Sequence, residues 1–97
     1  MKIQTTSGFV CEIDENKVRD WRFVKNLAKC EDMNTMPIGL AFCVPFILGE
    51  DGENALMEHI KEDSGLIATD KILTEFREIL DKIKENNEIK KSSSSQA

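Results

Sequence analysis

The chain has 97 residues, with 18 Asp and Glu against 13 Lys and Arg, a net charge of −5 and a pI near 4.9. That length allows one domain with a modest core that needs no disulfide or metal, and the acidic balance argues against nucleic acid, whose binding requires a basic patch that releases counterions. Cys11, Cys30 and Cys43 form no CxxC pair and MKIQTTSG lacks the apolar core of a signal peptide, so free thiols and a reducing, cytoplasmic compartment are expected.

Two short β-prone runs, 2–6 and 9–13, flank Ser7-Gly8, where glycine can take the positive φ of a tight turn, so a hairpin over about 2–13 is predicted. Phe9, Cys11 and Ile13 fall on one face at period two, and that face needs helices or another strand to cover it. Asp14 has the side chain of an N-cap for a helix from about Glu15 to Cys30. Val18, Trp21, Val24, Leu27 and Ala28 recur there at helical spacing, with Phe23 off the middle of the stripe. Trp21 is then either a core anchor or an interface anchor.

After a polar connection at 31–35, Thr35 is a plausible cap and Pro37 suits the first helical turn. The run Met36 to Leu48 is the most apolar in the chain. A membrane-spanning helix needs about 20 consecutive apolar residues, so this shorter segment is expected to serve as a core helix or an association surface rather than a span. Pro45 would remove the bond to the Ala41 carbonyl, and a kink or two short helices meeting near Val44 is predicted.

A further helix is expected over about 53–62, with Leu56, Met57 and Ile60 inward and Gly65 suited to the left-handed position that follows it. Ile72, Phe76, Ile79, Leu80 and Ile83 give the clearest helical stripe, with Glu78 and Lys82 as a favourable i, i+4 pair. From residue 85 periodicity is lost and the sequence turns serine-rich. The expected organisation is a mainly α domain over 1–84, with about four to five helices and the N-terminal hairpin, followed by a flexible, disordered Ser-rich tail at 85–97.

Sites of chemistry are sparse in the sequence. Gly49 and Gly52 are followed by acids rather than by a phosphate-loop lysine, and DGENALMEH lacks the ligand spacing of a calcium loop. The acid pairs Glu50-Asp51 and Glu62-Asp63 read as solvated loop charge. His59, the single histidine, has no sequence partner for nucleophilic catalysis, and zinc would need Cys3His gathered from four separate segments. No catalytic residue, cofactor or metal is expected.

Several blocks in order resemble the small tail assembly chaperones of long-tailed bacteriophages and prophages: GFVCEIDENKVRDW with Asp20-Trp21 opening a helix, an apolar segment ending Ile47-Leu48-Gly49-Glu50, then ALMEHIKEDSG, LTEFREILDKI and a short IKKSSSSQA tail. The resemblance covers nearly the whole length and implies a non-enzymatic protein of the infected bacterial cytoplasm. Such a protein binds the tape-measure protein while tail-tube subunits polymerise around it, and it is absent from the finished virion. It also implies a short form whose end can be extended by ribosomal frameshifting near Lys90-Lys91. Trp21, Phe42 and Phe46, with Lys90 and Lys91 in the tail, are the candidate protein contacts, each of the aromatics being equally readable as core. Homo-oligomers are possible on this reading, with neither nucleic acid nor membrane as partner. The alternative is a small helical regulatory or immunity-type protein that binds a single folded partner.

Overall fold

The computed structural model describes residues 1–95, with side chains through residue 86. The chain is mainly helical behind a two-stranded antiparallel hairpin, β1 (Lys2–Gln4) and β2 (Val10–Glu12). Ile3 pairs with Cys11, so both side chains leave the same face of the ribbon. Ile3, Phe9, Cys11 and Ile13 are all buried, as the period-two reading of the second strand requires. Gly8 takes φ 93° and its amide donates to the Thr5 carbonyl at 2.9 Å, closing the turn. The terminal amine of Met1 donates to the Ile13 carbonyl at 2.8 Å and lengthens the ladder by one pair.

Three α-helices follow among the described residues: α1 (Trp21–Leu27), α2 (Met36–Ile60) and α3 (Thr69–Ser95). The count of four to five is therefore corrected, and two local causes account for the difference. The first concerns the helix expected from Glu15 to Cys30, which is divided into a 3-10 turn (Glu15–Arg19), α1, and a second 3-10 turn (Ala28–Glu31). Asp14 does cap the first turn, its carboxylate accepting from the Asn16 amide at 3.0 Å, but Asp20 is extended at φ −72°, ψ 131° and caps α1 anew through the Arg22 amide at 2.8 Å. Because the helical phase restarts at Asp20, Phe23 points inward at 1% exposure while Trp21, about 200° away around the helix, is 69% exposed. The stripe centred on Trp21 is thus corrected to one centred on Phe23.

The second cause lies in α2. Pro45 sits within it without disturbing the dihedrals, and the direction changes instead at Gly49, with φ 76° and ψ 170°. Pro45 is flanked by buried Cys43, Val44 and Ile47, whose packing holds the turn despite the missing hydrogen bond, whereas Gly49 can take a positive φ freely. Two helices therefore meet across the kink at Gly49 and are counted together as α2, the second half running to Ile60 in the place of the helix expected at 53–62. Phe46, in the last turn before the break, offers its carbonyl to Lys17 Nζ at 3.2 Å. Thr35 stands at the N-cap position but makes no capping bond; its hydroxyl donates to the Lys29 carbonyl at 2.7 Å.

The first half of α2 runs antiparallel along α1, with Cys43 Sγ donating to the Phe23 carbonyl at 3.8 Å and Gly39 passing beside Asn26 and Cys30. From the other side α3 covers the core with Phe76, Ile79 and Ile83, each at most 2% exposed, in agreement with its sequence stripe. Of the segment 85–97 expected as a flexible tail, side chains from residue 87 onward lie outside those described, as do the last two residues entirely.

Candidate functional site

Phe42 and Phe46 are brought together. Their rings stack at 5.3 Å, Phe46 stacks in turn on buried Phe23 at 6.1 Å, and Phe23 meets Phe76 edge-on at 6.3 Å. This ladder runs from the α3 core out through α1 to the flank of α2. At its outer end Phe46 is covered by two cations, Arg22 Cζ at 5.3 Å and Lys17 Nζ at 5.8 Å from the ring centre. Arg22 is itself oriented by Asp20, which accepts from its guanidinium at 2.8 and 3.1 Å. The same hydrogen bonds, side chain first and then backbone, hold the Asp20 carboxyl down at about 2. Phe42 is half-buried, and Ile38, one turn earlier on the same flank, is 59% exposed. Trp21 faces away from the core on α1 and takes no place in the ladder's ring pairs. Lys90 and Lys91 lie outside the described side chains.

A second constellation had no local signal in the sequence. The hairpin turn is clasped from α3 by two carboxylates one helical turn apart. Glu75 Oε1, on a residue 6% exposed, accepts from the hydroxyls of Thr5 at 2.7 Å and Ser7 at 2.9 Å. Glu78 Oε2 accepts from the amide and hydroxyl of Thr6 at 2.6 and 2.7 Å. Glu78 thus bonds to the hairpin and makes no ion pair with half-buried Lys82, the amide and hydroxyl of Thr6 offering it two directed donors. His59 Nε2 lies 3.0 Å from Ser7 Oγ, and its ring stands 5.6 Å from that of Phe9. An open cavity of about 410 Å³ adjoins them, lined also by Lys61, Lys71 and Thr74.

A serine within reach of a histidine invites a nucleophile reading, against which the other bonds of Ser7 are to be set. A hydroxyl has one proton. With that proton given to Glu75, the tautomer that satisfies both bonds has His59 Nε2 donating to Ser7 Oγ. Activation of serine needs the reverse, with the imidazole accepting the serine proton and a carboxylate on its far nitrogen. The arrangement therefore ties the hairpin to α2 and α3. Sequence separations of 52 and 68 residues explain why spacing could not reveal it.

All three cysteines are free and buried. Burial pushes the Cys11 and Cys30 thiols up, and burial followed by the neighbouring Cys30 thiol takes Cys43 to about 12. Thiolate is the reactive form. At pH 8 the native protein is therefore expected to leave a thiol reagent unconsumed during a time in which the urea-unfolded chain reacts at all three sites. Stoichiometric labelling of Cys43 in the native state would contradict that packing.

Among the described residues no group of three or more His, Cys, Asp or Glu could hold a metal ion, and no helix is long and apolar enough to cross a membrane. Set against protein-family models, curated proteins and solved structures, the chain matches none.

Proposed function

We propose that this chain is a non-enzymatic client-binding protein of the tail assembly chaperone type, acting in the bacterial cytoplasm and absent from the finished virion. Its client is the tape-measure protein, kept soluble while tail-tube subunits assemble around it. The order of sequence blocks described above supports the reading, and one structural observation carries the client-binding part. Trp21 at 69%, Met33 at 88% and Ile38 at 59% exposure leave large apolar side chains in water on a body of net charge −5. An acidic surface keeps such a body dispersed, while apolar anchors cover the corresponding faces of a client helix.

The test is co-expression with the long coiled-coil tape-measure protein that this reading expects to be encoded downstream. That protein is expected to stay soluble and to co-purify with the wild-type chain. Trp21→Asp and Ile38→Asp, both at exposed positions, are expected to reduce recovery of the client severalfold with Tm nearly unchanged. An insoluble client in the presence of the wild-type chain would overturn the reading, as would a single stoichiometric complex with an unrelated folded partner.

A further inference from the structure

The change of direction at Gly49 turns the two halves of α2 toward each other, and the start of α3 closes the angle between them. The result is a notch of about 190 Å³, with Pro37, Leu40, Ala41 and Val44 on one wall, and Met57 and Ile72 among the apolar groups opposite. Its one charged lining group is Glu53, which is half-buried. Among the described residues the Glu53 carboxylate has neither a hydrogen bond nor an ion pair, whereas other acids of this region are engaged: Glu62 with Lys71 at 3.1 Å, Glu58 with Lys61 at 3.4 Å, and Glu75 and Glu78 with the hairpin turn.

A carboxylate partly withdrawn from water at the edge of an apolar recess is unfavourable alone and favourable beside a cation. Exposed Glu50, one helical turn ahead of Glu53, adds negative charge on the same flank. We infer that this notch seats one aliphatic side chain of a helical client segment, with a lysine or arginine of the same segment pairing with Glu53. The inference rests on the client-binding reading and specifies the chemistry of the segment bound, an amphipathic helix with a basic residue one turn from its anchor. A second copy of this chain is the poorer occupant, since it carries the same charge of −5 and approaches an acidic rim against repulsion.

The decisive comparison is between two variants of the full chain. Glu53→Lys reverses the charge at the rim, and Ala41→Leu fills the notch from an exposed position. Binding is read by titration with the downstream coiled-coil protein and, separately, with an alanine-based helical peptide carrying leucine and lysine four residues apart. Glu53→Lys is expected to weaken both about tenfold or more at low salt, with the difference shrinking as salt rises. Ala41→Leu is expected to weaken both at every salt concentration. With the peptide, amide shifts should centre on residues 37–44, 53–57 and 72. If the coiled-coil protein binds the wild type and both variants equally, the notch assignment falls while the client-binding reading stands. If the coiled-coil protein does not bind but the peptide shifts these amides, the reading of the client falls and the notch stands. Absence of peptide shifts at millimolar concentration overturns the inference, and so does a change in sedimentation of the chain alone on either substitution, which would place a second copy in the notch.

Discussion

Phe23→Ala is expected to cost about 3–5 kcal/mol of folding stability, the range for removing a buried aromatic ring. In a domain of this size 1 kcal/mol moves Tm by about 4–8 °C, so the variant should melt more than about 12 °C below the wild type. The effect is large because Phe23 is the joint of the aromatic ladder: it meets Phe76 of α3 on one side and Phe46 of α2 on the other, and its carbonyl receives the Cys43 thiol. At 1% exposure there is no solvent-filled route for the cavity to relax. Trp21→Ala, two residues away on the same helix, should stay within about 0.5 kcal/mol because the indole is already in water. Urea unfolding followed by far-UV circular dichroism measures both. Equal losses from the two substitutions would mean that the helical phase set by Asp20 is wrong, and with it the placing of Trp21 on the surface proposed to meet a client.

Where pattern and packing share a period, the sequence was informative. Alternation placed Phe9, Cys11 and Ile13 on the buried face of β2 and its extension, and the spacing of Phe76, Ile79 and Ile83 placed the inner face of α3. Both are uninterrupted elements in which one phase governs every residue. The stretch 15–30 failed for the opposite reason. Val18, Trp21, Val24 and Leu27 keep a helical spacing across Asp20, but a single extended residue there resets the phase, and α1 starts at the Asp20-Trp21 pair that the block resemblance, unlike the spacing, marks as a helix opening. Pro45 was a misleading break because its cost is local, while Gly49 supplied a conformation that only its backbone adopts without strain. The site was less legible than the fold. Phe42 and Phe46 share a helical flank, so their stacking follows from four-residue spacing, yet the cations over Phe46 come from residues 17 and 22 across a tertiary contact. The same holds for the clasp of Glu75 and Glu78 on the hairpin turn and for the notch at Glu53, which exist only once distant segments meet.

The second large effect is expected at Gly39, where α2 lies close against α1 and the 3-10 turn that follows it. A Cβ added there would lie 2.7 Å from the Asn26 carbonyl oxygen, 2.8 Å from Cys30 Sγ and 3.0 Å from the Cys30 amide nitrogen. Two of the three are backbone atoms and cannot rotate away, so the helices must separate. Overpacking of this kind costs about 1–3 kcal/mol, and alanine recovers up to about 1 kcal/mol through its better helix propensity. With that recovery taken in full, Gly39→Ala is expected to be destabilising by up to about 2 kcal/mol, a sign opposite to the one propensity alone dictates. Gly39→Val should cost more, since it adds bulk at the same contact and lacks alanine's propensity. Adding Cys30→Ala to Gly39→Ala removes the contact with sulfur and leaves both backbone contacts, so it should restore only part of the loss attributable to crowding. A stabilised Gly39→Ala variant would show that the helices do not cross this closely. Separation of α1 from α2 also withdraws Phe23 from Phe46, so the crowded variant should lose order at Phe42 and weaken the proposed client binding with most of its helicity retained. That combination distinguishes displacement of the α2 flank from general unfolding, which would remove helicity and binding together.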